Sequence, residues 1–279
     1  MAVEDEAIAL NRTHWDDRAA IHARDADGFY RVAEFKSGGD TLSAIEGAEV
    51  GDVAGLRILH LQCHLGLDTL SLARRGATVT GVDFSARALS FARELAEGAG
   101  LTATFVEGDV RAVRTLVSDP FDLVFATWGV LCWVPDSRAW MQNAASLLAP
   151  GGRLYLADTH PTSAQFDEVP DASGTARLMV AEPWRTAIDK PLVLTQRQTY
   201  TGDPTPIAHA ECREWLHPLS DILAAVDDAG LVLQMFHEHE ATTYRQFRSM
   251  RRGPDGLWRM PPGRPKVPHA FSLMAVKLR

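Results

Sequence analysis

The chain has 279 residues, a length that favours one α/β domain with an added segment over two full domains. It is 46% hydrophobic and 23% charged, which excludes a disordered, collagen-like or disulfide-scaffold protein. Its 28 Lys and Arg against 36 Asp and Glu give a net charge of -8. This charge disfavours general nucleic-acid binding and favours small-molecule substrates.

Targeting signals and cysteine usage indicate a cytoplasmic protein. Residues 4–6 are acidic, where a secretory signal would begin with basic residues, and no apolar run reaches the ~18 residues of a membrane span. Cys63, Cys132 and Cys212 lie far apart and form no CxxC pair, a pattern typical of reduced, buried thiols. We therefore predict a cytoplasmic location and no metal site.

Residues 1–50 are predicted to be helical and polar. Thr13 followed by Asp16 resembles a capping box, and Trp15, Ala19 and His22 share one helix face. The pattern changes near residue 51, where short apolar runs begin to alternate with helical stretches.

The stretch 51–160 predicts a parallel, doubly wound α/β sheet, because its strands and helices alternate at short spacing. The predicted strands cover residues 56–62, 78–83, 103–106, 121–126 and 153–158. A helix follows at Leu67, another is capped by Ser85, and a third by Asp136.

The alternation stops at residues 161–217, which are predicted to form an insertion. Leu192–Tyr200 and Ile207–Trp215 flank a turn at 202–206 and favour two antiparallel strands. Residues 218–279 then return to the earlier pattern, with a helix over 218–229 and strands at 231–237 and 270–278.

Four of the predicted strands end in residues suited to ligand binding. Ligands in such folds bind beyond the carboxyl ends of the strands. Gly66 follows the first strand, Asp83 ends the second, Asp109 follows the third and Thr127 follows the fourth. An acid at a strand end is usually a helix cap or a solvated residue, but the ordered series of four is more specific.

The order of the segments ILHLQCHLGLDTLSLA, TGVDFS, VEGDV, FDLVFA and LLAPGGRLYLAD resembles the class I S-adenosylmethionine-dependent methyltransferases over about residues 55–160. LQCHLGLDTLSLARRGATVTGVDFS and WLHPLSDILAAVDDAGL resemble a bacterial branch of small-molecule or uncharacterised enzymes. The resemblance implies a Rossmann-like seven-stranded sheet, a helical lid at 1–50, a cofactor-binding core at 51–160 and a substrate-covering insertion at 161–217. Residues 218–279 would complete the sheet.

The resemblance also implies residue roles for bound S-adenosylmethionine. Asp83 would bind the ribose hydroxyls and Phe84 would pack on the adenine. Asp109 and Val110 would hold the adenine edge. The methionine and ribose side would be lined by Gln62, His64, Gly66 and, at the methionine end, Thr127.

The first loop departs from the family pattern of an acid followed by three alternating glycines. His60, Gln62 and His64 hold the acid and first two glycine positions, and Gly66 remains. Gln62, His64 or the N-terminal segment would then replace the missing acid. The dehydrogenase alternative is disfavoured because residues 62–67 read QCHLGL and lack the G-x-G-x-x-G fingerprint.

Candidates for a catalytic base are His160, Tyr200 and His209, at the end of the fifth strand and in the insertion. Each could instead order a loop or lie on a solvated strand. Candidate substrate contacts are aromatic or imidazole side chains of the lid and the fourth strand end: His14, Trp15, Tyr30, Trp128 and Trp133. Ordinary helix packing is the alternative for the lid residues.

Two further patterns leave alternatives open. His237 and His239 would share one face of a continuing strand, but no third metal ligand is identified, which favours a solvated strand edge. The loop 244–266 has seven basic residues against Asp255, a local charge of 7 − 1 = +6. It could bind an anionic substrate group or nucleic acid, or pair with the acidic remainder of the chain.

We therefore predict a cytoplasmic enzyme that transfers a methyl group from S-adenosylmethionine to an N or O atom of a small molecule by in-line displacement. The alternatives are a non-catalytic S-adenosylmethionine-binding protein and an RNA or protein methyltransferase. A homodimer is left open, and no membrane association is expected.

Overall fold

The computed structural model describes residues 3–172, 175–264 and 266–278. Residues 1, 2, 173, 174, 265 and 279, at the ends or within the predicted lid, insertion, basic loop and C-terminal segment, lie outside the described residues. Within these ranges, every helix is too short or too polar to cross a bilayer.

The α-helices of the described residues are α1 (Val3–His22), α2 (Val32–Lys36), α3 (Ala44–Glu49), α4 (Leu67–Arg74), α5 (Ala86–Ala99), α6 (Val113–Leu116), α7 (Ser137–Ser146), α8 (Pro161–Ala164) and α9 (Leu219–Asp228). Short 3₁₀ turns cover Val110–Ala112 and Leu131–Trp133.

The strands are β1 (Arg57–Leu61), β2 (Thr78–Asp83), β3 (Thr104–Glu107), β4 (Phe121–Thr127), β5 (Leu148–Thr159), β6 (Phe166–Pro170), β7 (Ala176–Val180), β8 (Leu192–Thr195), β9 (Glu211–Glu214), β10 (Leu231–His239), β11 (Ala241–Thr242), β12 (Arg251–Arg252), β13 (Trp258–Arg259) and β14 (Ala270–Lys277).

A seven-stranded sheet in the order β3-β2-β1-β4-β5-β14-β10 forms the centre of the molecule. The first five of these strands run parallel, and β14 runs antiparallel to both of its neighbours. The carboxyl ends of β1, β2 and β4 therefore meet at one edge of the sheet. The predicted seven-stranded Rossmann-like fold is confirmed.

Burial on both faces explains why the central strands are almost wholly apolar. Leu59 and Leu61 of β1 lie in a cluster that includes residues of α7 and α9. Ile58, the neighbour of Leu59 on the opposite face of β1, lies in a second cluster with Val50 and Tyr155. The caps also form as predicted, since Ser85 Oγ accepts from the Ala88 amide and starts α5.

Separate small sheets add to this core. β6 pairs with β7, β8 pairs with β9, and β11, β13 and β12 form a third sheet after β10. The predicted β-rich insertion is therefore present. The β8–β9 pairing is shorter than predicted, because regular pairing stops at Thr195, so Tyr200 and His209 lie in the connection between the strands and not on them.

One local prediction is wrong. Thr13 does not begin a helix, because α1 runs unbroken from Val3 to His22 and the Thr13 hydroxyl donates to the Ala9 carbonyl, 3.1 Å away.

Candidate active site

A cavity of about 580 Å³ lies at the carboxyl ends of β1, β2 and β4. We call its sheet side the floor, formed by Gln62, His64, Asp83 and Thr127. We call its opposite side the roof, formed by Trp15, Arg18, Tyr30, Gln196, Tyr200 and Glu214. The floor comes from the central sheet, and the roof comes from α1, the segment after it and the β8–β9 hairpin.

The loop after β1 keeps the backbone of a glycine-rich turn with other residues in two of its places. Gln62 has φ 56° and His64 has φ 48°, in the left-handed region that favours glycine, and Gly66 follows with φ 71°. A side chain there costs on the order of 1 kcal/mol or more. These φ angles are ones that glycine adopts without strain, which agrees with the predicted correspondence of Gln62 and His64 to glycine positions.

Both replacements are held by specific contacts. The Gln62 amide donates to the Val130 carbonyl and accepts from the Trp140 indole, each at 3.0 Å, which ties the end of β1 to the loop after β4. Nε2 of His64 lies 2.8 Å from Nδ1 of His22 in α1. His64 is thus the floor residue whose side chain bonds the covering helix.

Gly66 itself does not line the cavity. A Cβ at this position would lie 2.7 Å from Cβ of Ala92 and 2.9 Å from the Phe105 ring. Glycine is therefore required at position 66, because α4 packs closely on α5 there and because φ is positive.

Asp83 ends β2 as a buried carboxylate on the floor. Oδ2 accepts from the His64 amide at 2.8 Å and Oδ1 accepts from the Ser85 amide at 2.9 Å. Burial raises the pKa of Asp83 to about 6, and these two hydrogen bonds oppose the rise. Asp83 is therefore ionised at neutral pH and retains acceptor capacity for a ligand.

Asp158, a buried residue near the end of β5, shapes the fourth strand end. Its carboxylate accepts from the backbone amides of Gly129, Val130 and Leu131 at 2.6 to 3.1 Å. This fixes the loop that carries Trp128 and Trp133 into the cavity, directly after Thr127.

The roof is one packed unit in which α1 lies against the β8–β9 hairpin. The buried Asn11 amide donates to the Arg213 carbonyl at 2.7 Å and accepts from the Arg213 amide at 2.8 Å. Nδ1 of His14 donates to the His209 carbonyl at 2.7 Å. Asp17 accepts from both the amide and Nδ1 of His209 at 2.7 and 2.9 Å.

Aromatic and imidazole rings fill the contact between floor and roof. The Trp15 ring lies 5.1 Å from His64 and 5.2 Å from Trp133. The Tyr30 hydroxyl bonds the Tyr200 hydroxyl and lies 3.0 Å from Nδ1 of His22. These contacts join side chains of the floor to side chains of the roof across the cavity wall.

Burial keeps the imidazoles of this region neutral. It lowers the pKa of His64 to about 3 and that of His14 to about 4, and the charge of Arg18 adds to both shifts. The pKa of His22 is lowered by burial and then by His64 and Arg18. Proton acceptance by His64 is therefore weak at neutral pH.

His60, at the family's acid position, cannot replace that acid. It is buried, its Nδ1 lies 2.8 Å from the Thr69 hydroxyl, and burial lowers its pKa to about 3. Three carboxylates lie elsewhere in the cavity wall, Glu46, Asp68 and Asp255. Burial, followed by the charge of Glu46, raises the pKa of Asp68 to about 7.

The structure brings most of the predicted site residues to one cavity. Those that line it are Trp15, Tyr30, Gln62, His64, Asp83, Phe84, Thr127, Trp128, Trp133 and Tyr200. Those that do not line it are His14, Gly66, Asp109, Val110, His160 and His209. His14 still stacks on Trp133 at a ring distance of 6.2 Å, just behind the wall.

His160 and His209 lie apart from the cavity. Nδ1 of His160 accepts from the Thr162 amide at 3.2 Å and caps α8, while Nε2 lies 3.0 Å from Oε1 of Glu238. His209 is an exposed residue that pairs with Asp17. Of the three predicted base candidates, Tyr200 alone reaches the cavity.

Asp109 and Val110 lie at the end of β3 beneath the start of α1. Asp109 accepts from the amide and Nε of Arg111, both at 2.8 Å, and Arg111 also pairs with Asp5 of α1 at 3.1 Å. Val110 is buried in the core. Their assignment to the adenine edge stays a prediction.

Sequence reasoning missed several cavity residues: Arg18, Glu46, Asp68, Gln196, Glu214 and Tyr244. Arg18 had a detectable signal, since it lies one turn after Trp15 on the same helix face. Gln196 and Glu214 had none, because they reach the cavity through pairing of β8 with β9.

The basic loop contributes to the cavity rim. Tyr244 and Arg252 line it, while Asp255 pairs with Arg259 at 2.5 Å and Lys266 pairs with Glu240 at 2.9 Å.

His237 and His239 both lie near Glu49, and His239 also bonds the Ser272 hydroxyl. In the described ranges, no group of three or more His, Cys, Asp and Glu side chains converges as a metal site would require.

Comparison with known proteins finds sequence matches to part of the chain that forms the central sheet. Residues 58–152 match the family described as a methyltransferase domain. Ubiquinone biosynthesis O-methyltransferase of Xylella fastidiosa is 34% identical over 117 residues, covering 41% of this chain and 46% of that protein. The enzyme of the same name from Pectobacterium atrosepticum is 35% identical over 102 residues, covering 37% and 42%. The chain thus spans less than half the length of these relatives.

Solved structures extend the likeness to most of the chain. An S-adenosylmethionine-dependent methyltransferase from Mesorhizobium loti superposes with a TM-score of 0.56 at 20% identity, covering 84% of this chain and 96% of that one. A putative S-adenosylmethionine-dependent methyltransferase from Listeria monocytogenes gives a TM-score of 0.58 at 15% identity, covering 84% and 95%. The chain therefore has the fold of these S-adenosylmethionine-dependent methyltransferases, and residues 58–152 are similar in sequence to a methyltransferase domain.

Proposed function

We propose that the protein transfers the methyl group of S-adenosylmethionine to an oxygen or nitrogen atom of a small molecule. The observation that carries this proposal is the cavity of about 580 Å³ between floor and roof. Its floor presents a strand-end carboxylate beside the turn after β1, and its roof adds a largely aromatic wall suited to an organic acceptor.

The residues present fit the cofactor. Asp83 is positioned to accept from ribose hydroxyls, and Phe84 beside it offers a ring to the adenine. Because His60 stands in place of the usual acid, we assign the methionine ammonium to Asp68, which lines the same cavity and whose Oδ1 accepts from the Thr41 hydroxyl at 2.8 Å. Thr127 and the His64 backbone would complete the methionine side.

When bound, S-adenosylmethionine supplies a methyl group already activated on a sulfonium, which an acceptor takes by in-line displacement. The protein's part is alignment, and proximity of this kind can contribute roughly 7–11 kcal/mol. The aromatic residues of the roof exclude water from the reacting atoms. Residues 1–50 would serve as the lid and residues 161–217 as the substrate-covering segment.

A hydroxyl or ammonium acceptor must also lose a proton. Tyr200 and Glu214 line the cavity and can take part, whereas His160 and His209 lie outside it. Burial raises the pKa of Glu214, which makes its carboxylate a stronger base than an exposed one. We therefore add Glu214 to Tyr200 as a candidate proton acceptor.

Binding and turnover test the proposal separately. Calorimetric titration with S-adenosylmethionine and its demethylated product should show both binding, and Asp83→Asn should weaken both. Release of demethylated cofactor is then screened against small hydroxyl and amine acceptors. Absence of binding to the wild type would contradict the proposal, while binding without turnover over the whole panel would favour the non-catalytic alternative suggested by Gln62 and His64.

We further propose a cytoplasmic location and a homodimer. β10 is an edge strand of the central sheet, and its Val232 and Leu233 side chains are exposed, which suits pairing with a second copy. Sedimentation of wild type and Leu233→Lys would test this, because the substitution should leave a dimeric protein monomeric.

A further inference from the structure

Arg18 is a buried cation without a carboxylate partner. Its side chain lies in the cavity wall and the residue is 4% exposed. Among the described residues, no carboxylate oxygen lies within ion-pairing distance of its guanidinium. A buried charge is normally paired, because leaving it unpaired is costly.

The surroundings of Arg18 leave hydrogen-bond donors free. One nitrogen, Nη2, donates to Oε1 of Gln196, while Nε has no partner in the described part of the chain. The rings of Trp15, Tyr200 and Trp133 lie 4.9, 5.4 and 5.8 Å from the guanidinium carbon. These rings offset part of the desolvation of the cation, but they cannot accept in-plane N–H bonds as an anion would.

The groups packed around Arg18 are mostly neutral, although its charge also acts on the carboxylate of Glu214 and opposes the rise of the Glu214 pKa. His14, His22 and His64 are held neutral around it, with Arg18 contributing to each shift. Glu214 is reached through Gln196, whose Nε2 donates to Oε1 of Glu214 at 2.8 Å. The chain has thus placed Gln196, a neutral amide, between its cation and the neighbouring carboxylate.

Resting on the proposed methyltransferase function, we propose that Arg18 binds a carboxylate of the methyl acceptor, and that the acceptor is a flat carboxylate-bearing small molecule held between Trp15, Trp133 and Tyr200. A guanidinium offers a planar fork that matches a carboxylate, and the three rings suit an unsaturated or aromatic body.

The carboxylate belongs to the acceptor and not to the cofactor because of where Arg18 lies. Its contacts come from the roof and from Trp133 after β4, whereas the cofactor groups assigned above come from the floor. The cofactor's own carboxylate is the competing source, since Trp15 also contacts His64. The experiment must therefore separate the two.

The probes are hydroxybenzoates and the matching hydroxybenzamides, which differ in charge but hardly in shape. Each is titrated calorimetrically into wild type, Arg18→Gln and Arg18→Lys, with and without demethylated cofactor. Arg24→Gln is the matched control, because Arg24 also bonds the insertion, through Thr205, but lies outside the cavity wall.

Wild type and the Arg24 variant should bind at least one hydroxybenzoate about tenfold or more tightly than its amide. Arg18→Gln should lose that preference, and Arg18→Lys should keep part of it because the charge remains without the fork. The proposal is overturned if wild type shows no carboxylate preference anywhere in the panel, whether amides bind equally or nothing binds.

Two further readouts keep the test decisive. Titration with 5′-methylthioadenosine, which lacks the amino-acid end, separates the sources: if Arg18→Gln weakens the demethylated cofactor but not this analogue, and leaves the hydroxybenzoates unchanged, the carboxylate is the cofactor's and the proposal fails. If wild type binds hydroxybenzoates selectively but no cofactor, the proposed function fails while the anion site stands.

Stability distinguishes a ligand site from a structural cation. Arg18→Met removes a buried, unpaired charge and should raise the Tm of the ligand-free protein, on the order of 2–4 °C. A lower Tm, together with unchanged hydroxybenzoate selectivity, would mean that Arg18 serves packing alone.

Discussion

The floor and the roof of the cavity are built by different means. Floor residues follow strands of the central sheet directly, and backbone amides fix their positions, as His64 and Ser85 fix Asp83. Roof residues reach the cavity from segments far apart in sequence, and side-chain contacts hold them, as Arg18 and Gln196 show. The floor is therefore part of the rigid core, whereas the roof can change without disturbing the sheet.

This difference suggests a division of roles. A fixed floor suits a cofactor that never changes, and a roof assembled from side chains suits an acceptor that differs between related enzymes. His64 connects the two, since its backbone belongs to the turn after β1 and its ring contacts His22 and Trp15 in α1. Four experiments can break or sharpen this division.

The largest effect is expected at the floor, from Asp83→Asn. The amide keeps the shape but loses the charge that accepts from ligand hydroxyls, so affinity for the demethylated cofactor should fall roughly ten- to hundredfold. In wild type the same affinity should fall as pH drops below about 6, because protonation of Asp83 removes that acceptor. Calorimetry from pH 5 to 8 measures both effects.

The matched control is Asp17→Asn in α1, because Asp17 bonds His209 outside the cavity. It should leave cofactor affinity and its pH dependence unchanged. Equal losses in the two variants would remove the assignment of cofactor binding to the floor.

The second effect is that acid loosens the contact between α1 and the floor. The folded-state pKa values of His14, about 4, and His64, about 3, lie below the ordinary 6.5, so the unfolded or opened state binds more protons below pH 6.5. Each such histidine then lowers stability by about 1.4 kcal/mol per pH unit until its folded pKa is reached.

Hydrogen exchange at pH 7.5 and 5 can locate that loss, after correction for the intrinsic exchange rate. Amides of α1 should lose protection at pH 5 well before those of β1 and β4. His14→Gln combined with His64→Gln should reduce the pH dependence, because it removes both histidines whose lowered pKa values produce it. A uniform loss across the central sheet would show that floor and roof open as one unit.

The floor can be predicted from the sequence because the patterns that locate its residues are local in the chain. An apolar run, a turn and a capped helix locate Asp83 at a strand end, and the parallel order of the strands brings Gln62, His64 and Thr127 to the same edge. Even the unusual turn is readable, since Gln62 and His64 occupy glycine positions and adopt their positive φ angles.

The roof is not readable in the same way, because its contacts depend on tertiary packing. Arg18 and Gln196 are 178 positions apart, and no periodicity in either segment indicates the other. His160 shows a second limit, because the sequence predicts its position in the fold but not the direction of its side chain. Its position after β5 predicts the correct edge, but Pro161 starts α8 and the ring turns to cap that helix.

The third effect is smaller and concerns the connection through His64. Replacing His64 with Gly relieves a positive φ, worth on the order of 1 kcal/mol, and removes the contact with His22. Global stability should therefore change little, while limited proteolysis within α1 should become faster. Gln62→Gly is the control. It relieves the same backbone strain but breaks bonds to Val130 and Trp140, which do not belong to α1. Faster cleavage of α1 in the Gln62 variant as well would show that the connection does not depend on His64.

The smallest effect decides whether Tyr200 is catalytic or only closes the roof. Its hydroxyl bonds that of Tyr30, so Tyr200→Phe and Tyr30→Phe both remove this hydrogen bond, at a cost of about 1 kcal/mol, and Tyr30→Phe also removes the contact with His22. If Tyr200 only closes the roof, both variants should raise the KM of an acceptor a few-fold, and the double variant should be no worse than Tyr30→Phe. If Tyr200 instead accepts the acceptor's proton, Tyr200→Phe alone should lower kcat, by roughly 100-fold or more. Because the burial that raises the pKa of Tyr200 leaves it protonated at neutral pH, and Glu214 lies in the same wall, we expect the first result.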